Sequence, residues 1–389
     1  MNPRAKIKLA LLQIDTREAL REYDKPVPYF GTAPEALLQG LIALPDLEVH
    51  VVSCIQKVMV CPEKLAPNVW YHGLLVPKLG WLRTGYQGCI RAVRRKLQEI
   101  RPDIVHGQGT ERDCALSAVF SGFPNVVTIH GNMAELARLF RPRPFSYGWL
   151  AARLENFALA RTAGVFCNSE YTEGLVRPRT PKTWRVPNAI RGEFFAPPRR
   201  ARAADRCVII NIGSVMPRKR QVELLAVAKT LHERGCRFEW QFIGAAEAKD
   251  EYAARFLAEV RAAEQQGYAR YLGLKTTAQL IDCLDEAHGM VHFPSEEAFG
   301  LVVVEAMARG VKFFGSRLGG IIDLAGASPG AELFGADDFA GLADAMARWM
   351  GRGHAAVPGA GASIRRLYHP RAVAERHLEI YQEVLSSAR

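Results

Sequence analysis

The sequence predicts an α/β protein built as two doubly wound, Rossmann-like domains facing across a cleft. Three observations carry that expectation. At 389 residues the chain is longer than one hydrophobic core usually serves. Short apolar runs alternate with amphipathic helical stretches along its whole length, as a parallel sheet covered by helices requires. The alternation stops at Ala196-Pro197-Pro198-Arg199-Arg200-Ala201-Arg202 and then restarts.

In the first half, apolar runs place strands at 7–14, 49–54, 104–106, 126–129, 164–167 and 183–186. Helical periodicity falls at 33–43, 87–100, 114–120 and 144–160. Between the first strand and Gly31 lies a long charged insertion, Asp15 to Val27, readable as a mobile lid or as a solvated loop. After the break, strands are expected at 207–212, 238–243, 269–272, 290–293 and 312–314. The helices of this half fall at 221–234, 252–265, 277–286, 301–308 and near 337–350, and 371–385 is strongly helical. The resulting domains are 1–195, a linker at 196–206, 207–370, and a terminal helix at 371–389.

Composition is that of an ordinary globular protein, and it narrows the partners. Residues 1–200 hold 28 Lys plus Arg against 17 Asp plus Glu, while residues 201–389 hold 23 of each. The basic excess of the first half fits an anionic membrane surface, a lipid phosphate or an acidic glycan, or a merely solvated basic face. No nucleic-acid recognition motif accompanies it, so nucleic acid is not an expected partner. Eight cysteines without paired spacing read as reduced thiols, with neither a disulfide frame nor a zinc site. No apolar stretch reaches the ~20 residues of a membrane span, and the start lacks a signal-peptide apolar region. The expectation is a cytoplasmic protein, with peripheral contact at the inner membrane face through two aromatic-basic stretches, 81–96 and 138–149.

One segment carries most of the chemistry. It runs from Phe293-Pro294-Ser295-Glu296-Glu297 through Ala298-Phe299-Gly300-Leu301 to Glu305 and Gly310. A strand ends at Pro294, a glycine sits where a side chain would block a ligand, and an apolar helix follows with Gly310 closing it. A helix start offers unpaired N–H groups and the positive end of a dipole, which suits a phosphate. Glu297 and Glu305 flank that anion site. A second constellation, Asn211-Ile212-Gly213-Ser214-Val215-Met216-Pro217-Arg218-Lys219-Arg220, is a strand, a glycine turn and a cationic cluster entering a helix. Fixed cations there offset charge that develops on a departing diphosphate.

Together these segments resemble the signature of the retaining glycosyltransferases of family four, which have the GT-B fold. Further matches are Thr128-Ile129-His130-Gly131, Asn168-Ser169-Glu170, Val186-Pro187-Asn188 and Ser316-Arg317-Leu318-Gly319-Gly320-Ile321. The resemblance implies a sugar moved from a nucleoside diphosphate to a glycan, lipid-linked or small-molecule acceptor, in cell-envelope or polysaccharide biosynthesis. It implies that Glu297 grips the donor sugar and Glu305 the ribose, with backbone N–H groups of Phe299, Gly300 and Leu301 on the diphosphate. Lys219 falls on the family's lysine position. Ser214 stands where the family often has Arg; it is expected among the donor-binding residues, with Arg218 taking over part of that role. His130 would orient the reacting sugar, Gly31 and Gly244 would approach the donor closely, and Thr32 would cap the helix after Gly31. In the GT-B fold the terminal helix crosses back onto the first domain. No Asp-x-Asp triplet occurs, so neither metal nor cofactor is expected beyond the sugar nucleotide. A sugar-nucleotide epimerase on the same fold, or a non-catalytic sugar-nucleotide-binding protein, remains as an alternative.

Overall fold

In the computed structural model the described residues are 6–198, 206–326, 328–354 and 360–387. They form two compact units, one of residues 1–191 with 368–389, the other of 192–367. Each is a Rossmann-like parallel-sheet domain, as the alternating pattern predicts. Most of the expected linker, residues 199–205, lies outside the described residues, as do 388–389.

The first unit holds eight strands: β1 (Ile7–Leu12), β2 (Leu47–Ile55), β3 (Lys64–Ala66), β4 (Val69–Leu75), β5 (Ile104–Gln108), β6 (Asn125–Ile129), β7 (Val165–Cys167) and β8 (Thr183–Arg185). Their order is β3-β4-β2-β1-β5-β6-β7-β8, and every pairing is parallel except that of β3 with β4. Chain order therefore reverses between β1 and β5, and ligands of such sheets bind beyond strand C-termini at that switch. Helices cover both faces. The helix Pro370–Ser387 buries Val373, Ala374, His377, Ile380, Tyr381 and Val384 in this unit's core. It crosses the helix Thr32–Ile42 so closely that a Cβ on Gly40 would lie 2.1 Å from the Pro370 carbonyl oxygen.

The insertion after β1 is stitched down. Arg17 and Asp15 are both fully buried, and the guanidinium meets the Asp15 carboxylate through Nε and Nη2. Its Nη1 also donates to the carbonyls of Lys25 (2.7 Å) and Val60 (3.0 Å), and Tyr71 Oη donates to Asp15 Oδ2. A buried cation bonded on three sides holds its loop in one arrangement.

The second unit has six strands: β9 (Cys207–Ile212), β10 (Phe238–Ile243), β11 (Ala269–Gly273), β12 (Gly289–His292), β13 (Lys312–Ser316) and β14 (Ala331–Phe334). They are wholly parallel, in the order β11-β10-β9-β12-β13-β14. The switch falls between β9 and β12. Trp240, Phe242, Phe256, Phe293 and Phe314 fill one side of the sheet, and Met346 reaches the same core from the helix Phe339–Gly351.

Candidate functional site

The two segments singled out in the sequence emerge from the C-termini of β9 and β12, on either side of the second unit's switch point. The structure bonds them together. Ser295 N–H donates to the Arg218 carbonyl at 2.9 Å. Arg218 Nη1 returns a bond to the Glu296 carbonyl at 2.8 Å and reaches Glu296 Oε2 at 3.2 Å. Lys219 Nζ lies 2.5 Å from Glu297 Oε2, and His292 Nε2 lies 3.0 Å from the same oxygen. Gln221, buried at the start of the next helix, accepts from Met216 N–H and donates to the Ser214 carbonyl, which fixes the turn between them.

These neighbours set the charge of Glu297. Burial pushes its carboxyl upward, but the His292 hydrogen bond and the Lys219 charge outweigh burial and hold it well below the ordinary carboxylate range. Burial and the Lys219 charge lower the His292 imidazole, against the opposing pull of Glu297. The cluster is thus a carboxylate with a cation and a largely neutral imidazole on one of its oxygens.

The helix Leu301–Ala308 starts at Gly300, whose φ of +93° favours glycine, and no side chain caps this end. Gly310, at φ +71°, follows its last turn, with Gly310 N–H on the Met307 carbonyl and Val311 N–H on the Ala306 carbonyl. The loop leading in rests on Gly320, where a Cβ would lie 2.2 Å from the Ala298 carbonyl oxygen. Gly320 N–H donates to the Glu297 carbonyl at 3.0 Å. Phe299 and Glu305 are buried, Glu305 in the helix's second turn.

Two expected glycine roles are sharpened. Gly244 follows β10 at φ +148°, and a Cβ there would sit 2.0 Å from the Gly213 carbonyl oxygen. It lets the ends of β9 and β10 approach, which is a role within the protein itself. A Cβ on Gly31 would meet nothing closer than Pro34 at 3.7 Å, so the fold does not demand glycine there. The capping expectation is corrected. Gly31 is the N-cap of Thr32–Ile42 and Thr32 is the first helical residue, without a side-chain cap bond. Glu35 fills the gap, its N–H donating to the Gly31 carbonyl while its carboxylate accepts from Phe30 N–H.

In the first unit His130 follows β6, and its Nε2 lies 2.9 Å from Gln108 Oε1 at the end of β5. Burial lowers the His130 imidazole to about 4, so the ring is neutral at physiological pH. Glu111 Oε1 accepts from Gly131 N–H at 2.8 Å, and burial raises this carboxyl.

His292, Gln221 and Glu111 were not singled out from the sequence, and Gln108 only as part of the stretch 102–109, which resembles a strand end of the family. For His292 the available signal is a polar residue closing the apolar run Gly289-Met290-Val291. Among the described residues, one group of metal-ligating side chains gathers within 4.8 Å: Cys54, Cys89 and Asp113, all buried in the first unit. None of them belongs to the Glu297 loop. All eight cysteines are free. Among the described residues no helix is long and apolar enough to cross a membrane.

Family models match both halves of the chain. The model for Glycosyltransferase Family 4 matches residues 35–193, and that for Glycosyl transferases group 1 matches residues 195–353. No curated protein matches the chain by sequence. Among solved structures, sucrose-phosphate synthase from Thermosynechococcus elongatus is 16% identical over 98% of this chain and 100% of that one, with a TM-score of 0.73. Anabaena HepE in complex with UDP and glucose is 15% identical over 97% and 99%, with a TM-score of 0.70. A glycosyltransferase from Rickettsia africae is 11% identical over 98% and 99%, with a TM-score of 0.71. At these identities the likeness is one of fold.

Proposed function

Since the chain belongs to glycosyltransferase family 4, with a glycosyl transferases group 1 domain in its second half, we propose that it moves a sugar from a nucleoside diphosphate to a glycan, lipid-linked or small-molecule acceptor, with retention and without a metal. The observation that carries this reading is the Lys219–Glu297–His292 cluster beside the uncapped start of Leu301–Ala308. Its parts match what a departing diphosphate and a sugar ring need. The helix start and the Arg218 and Lys219 cations face developing phosphate charge. Lys219 and His292 occupy Oε2 of Glu297, which leaves Oε1 to accept from a sugar hydroxyl. Glu305 receives the ribose, with backbone N–H groups of Phe299, Gly300 and Leu301 on the diphosphate. In the first unit His130 orients the reacting sugar and Gly31 offers close approach. The fixed cations supply the electrostatic role that a metal plays elsewhere. With no carboxylate nucleophile assigned, the reading is front-side displacement, in which the leaving phosphate takes the acceptor's proton.

The acceptor is assigned to the basic first unit, at an anionic membrane surface on the cytoplasmic side. Support comes from exposed apolar side chains set among cations. Phe140, Phe145, Tyr147 and Leu79 are exposed, Phe145 at 79%, on a loop held at φ +62°. Arg138, Arg141, Arg143 and Lys78, near them in sequence, are exposed too. Both aromatic-basic stretches touch the loop after β5, where Arg112 stacks over Trp81 and Tyr147 Oη donates to the Glu111 carbonyl. Aromatic and basic side chains exposed together suit a headgroup interface.

A thermal-shift screen of nucleoside diphosphates and their sugars tests the donor assignment. A ligand at 100 times its Kd adds about 2.7 kcal/mol to the folded state, a rise in Tm of about 5–10 °C for a unit this size. If no diphosphate stabilises the protein, the donor assignment is wrong.

A further inference from the structure

Gln108, the last residue of β5, lies between two imidazoles. Its Nε2 is 3.1 Å from His106 Nε2, and its Oε1 is 2.9 Å from His130 Nε2. An amide oxygen only accepts, so the bond to His130 requires a proton on His130 Nε2. In the neutral ring that leaves Nδ1 as a bare acceptor. The amide nitrogen only donates, which makes His106 Nε2 an acceptor, shared with the Thr128 hydroxyl at 2.7 Å. His106 Nδ1 then donates to Tyr381 Oη at 2.6 Å. The Thr128 and Tyr381 hydroxyls each donate or accept, so the orientation of the Gln108 amide is what sets the tautomer of both rings.

We propose that Gln108 is a positioning residue that fixes His130 as the Nε2–H tautomer and so presents Nδ1 as the acceptor for a sugar hydroxyl. The proposal rests on the reading of His130 as a sugar contact and names what makes that contact directional. Nδ1 is buried and makes no protein hydrogen bond of normal geometry, with the Asn188 side chain beside the ring. A cavity of about 10 Å³ is lined by His130 with Gln108, Thr128, Asn188 and His377, and otherwise by apolar residues such as Leu37 and Phe166. That is room for about one oxygen-sized group. A hydroxyl fits such a space and brings the proton that Nδ1 lacks. The titratable and polar groups facing His130 are His106 and Gln108 from β5, Thr128 from β6, Glu111 from the loop after β5, Asn188, and His377 from the helix Pro370–Ser387.

The test is a long-range ¹H–¹⁵N correlation spectrum of the full chain labelled at histidine, near neutral pH, with His130 assigned by the signal lost in His130→Asn. Wild type should show a protonated Nε2 and a bare Nδ1. Gln108→Leu should populate both tautomers. Gln108→Glu keeps an acceptor oxygen at the same reach, so it should restore Nε2–H and raise the midpoint of His130 titration by about one pH unit or more. A merely structural glutamine would leave the tautomer of Gln108→Leu unchanged, and that result overturns the proposal. A proton on Nδ1 in wild type overturns it too, and that spectrum needs no variant to fold. Diphosphate binding by the second unit is read separately in the thermal-shift screen, so failure of the donor assignment and failure of this inference are told apart.

Discussion

Acidification from about pH 7 to pH 5 should weaken the first unit, by an amount that its buried histidines set. His130 and His377 are each lowered to about 4, mainly by burial, from an ordinary 6.5. The direction follows from linkage. A histidine whose folded value is depressed binds its proton in the unfolded chain first, so its stability contribution is present above 6.5 and is lost as pH falls towards 4. Each such ring loses about 2 kcal/mol between pH 7 and pH 5, and the pair together about 4 kcal/mol. His106, pushed down by burial and by its neighbouring imidazoles, adds in the same direction. Against a total stability of about 5–15 kcal/mol this is a large fraction. Urea titrations at the two pH values, followed by tryptophan fluorescence, measure it. His377 stacks on Phe166 at 4.5 Å and 7°, so His377→Phe keeps an aromatic ring there and removes one titrating group. That variant should lose about 2 kcal/mol less stability than wild type over the same interval. Equal or greater stability of wild type at pH 5 would refute the reasoning, as would a pH dependence untouched by His377→Phe.

Other expectations follow from the second unit and the exposed patch. Glu297→Gln should lower sugar transfer by about 100-fold or more, because a neutral amide no longer complements Lys219 and the sugar hydroxyls; initial rates with the stabilising donor measure this. Gly244→Ala forces a Cβ to within 2.0 Å of the Gly213 carbonyl at φ +148°, and should cost about 2–4 kcal/mol by urea unfolding. Cosedimentation with vesicles should show binding to anionic but not zwitterionic lipid, weakened by salt. Phe145→Ser should reduce that binding about tenfold, and equal binding by wild type and variant would remove the patch from the account.

Much of the fold was legible because parallel α/β units repeat one local pattern. The buried runs Cys207–Ile212, Phe238–Ile243 and Lys312–Ser316 stand out as apolar blocks between periodic helices. The backbone of the Glu297 loop was legible for a related reason, since glycines at 300 and 310 mark backbone needs that few other residues meet. The strands Lys64–Ala66 and Val69–Leu75 were missed, because Pro67, Asn68 and Gly73 break the run and the edge strand is barely buried. The helix Met133–Phe140 was missed as well, its start held by Asn132 and by the distant Glu155 carboxylate. The buried Arg17, in a segment readable as solvated or mobile, is bonded to Val60, 43 positions away. Networks such as Lys219–Glu297, 78 positions apart, and His106–Tyr381, 275 apart, exist only once the sheet has formed. Residue types proposed the chemistry; long-range closure chose the partners.

The central claim is that the segments after β9 and β12 form the donor site, and hydrogen exchange tests it most directly. With UDP, or whichever diphosphate raises Tm most, at saturation, backbone amides in 213–221 and 293–308 should slow while most of the second unit's sheet is unchanged. Protection confined to other segments, with these two exchanging as in the free protein, would contradict the account.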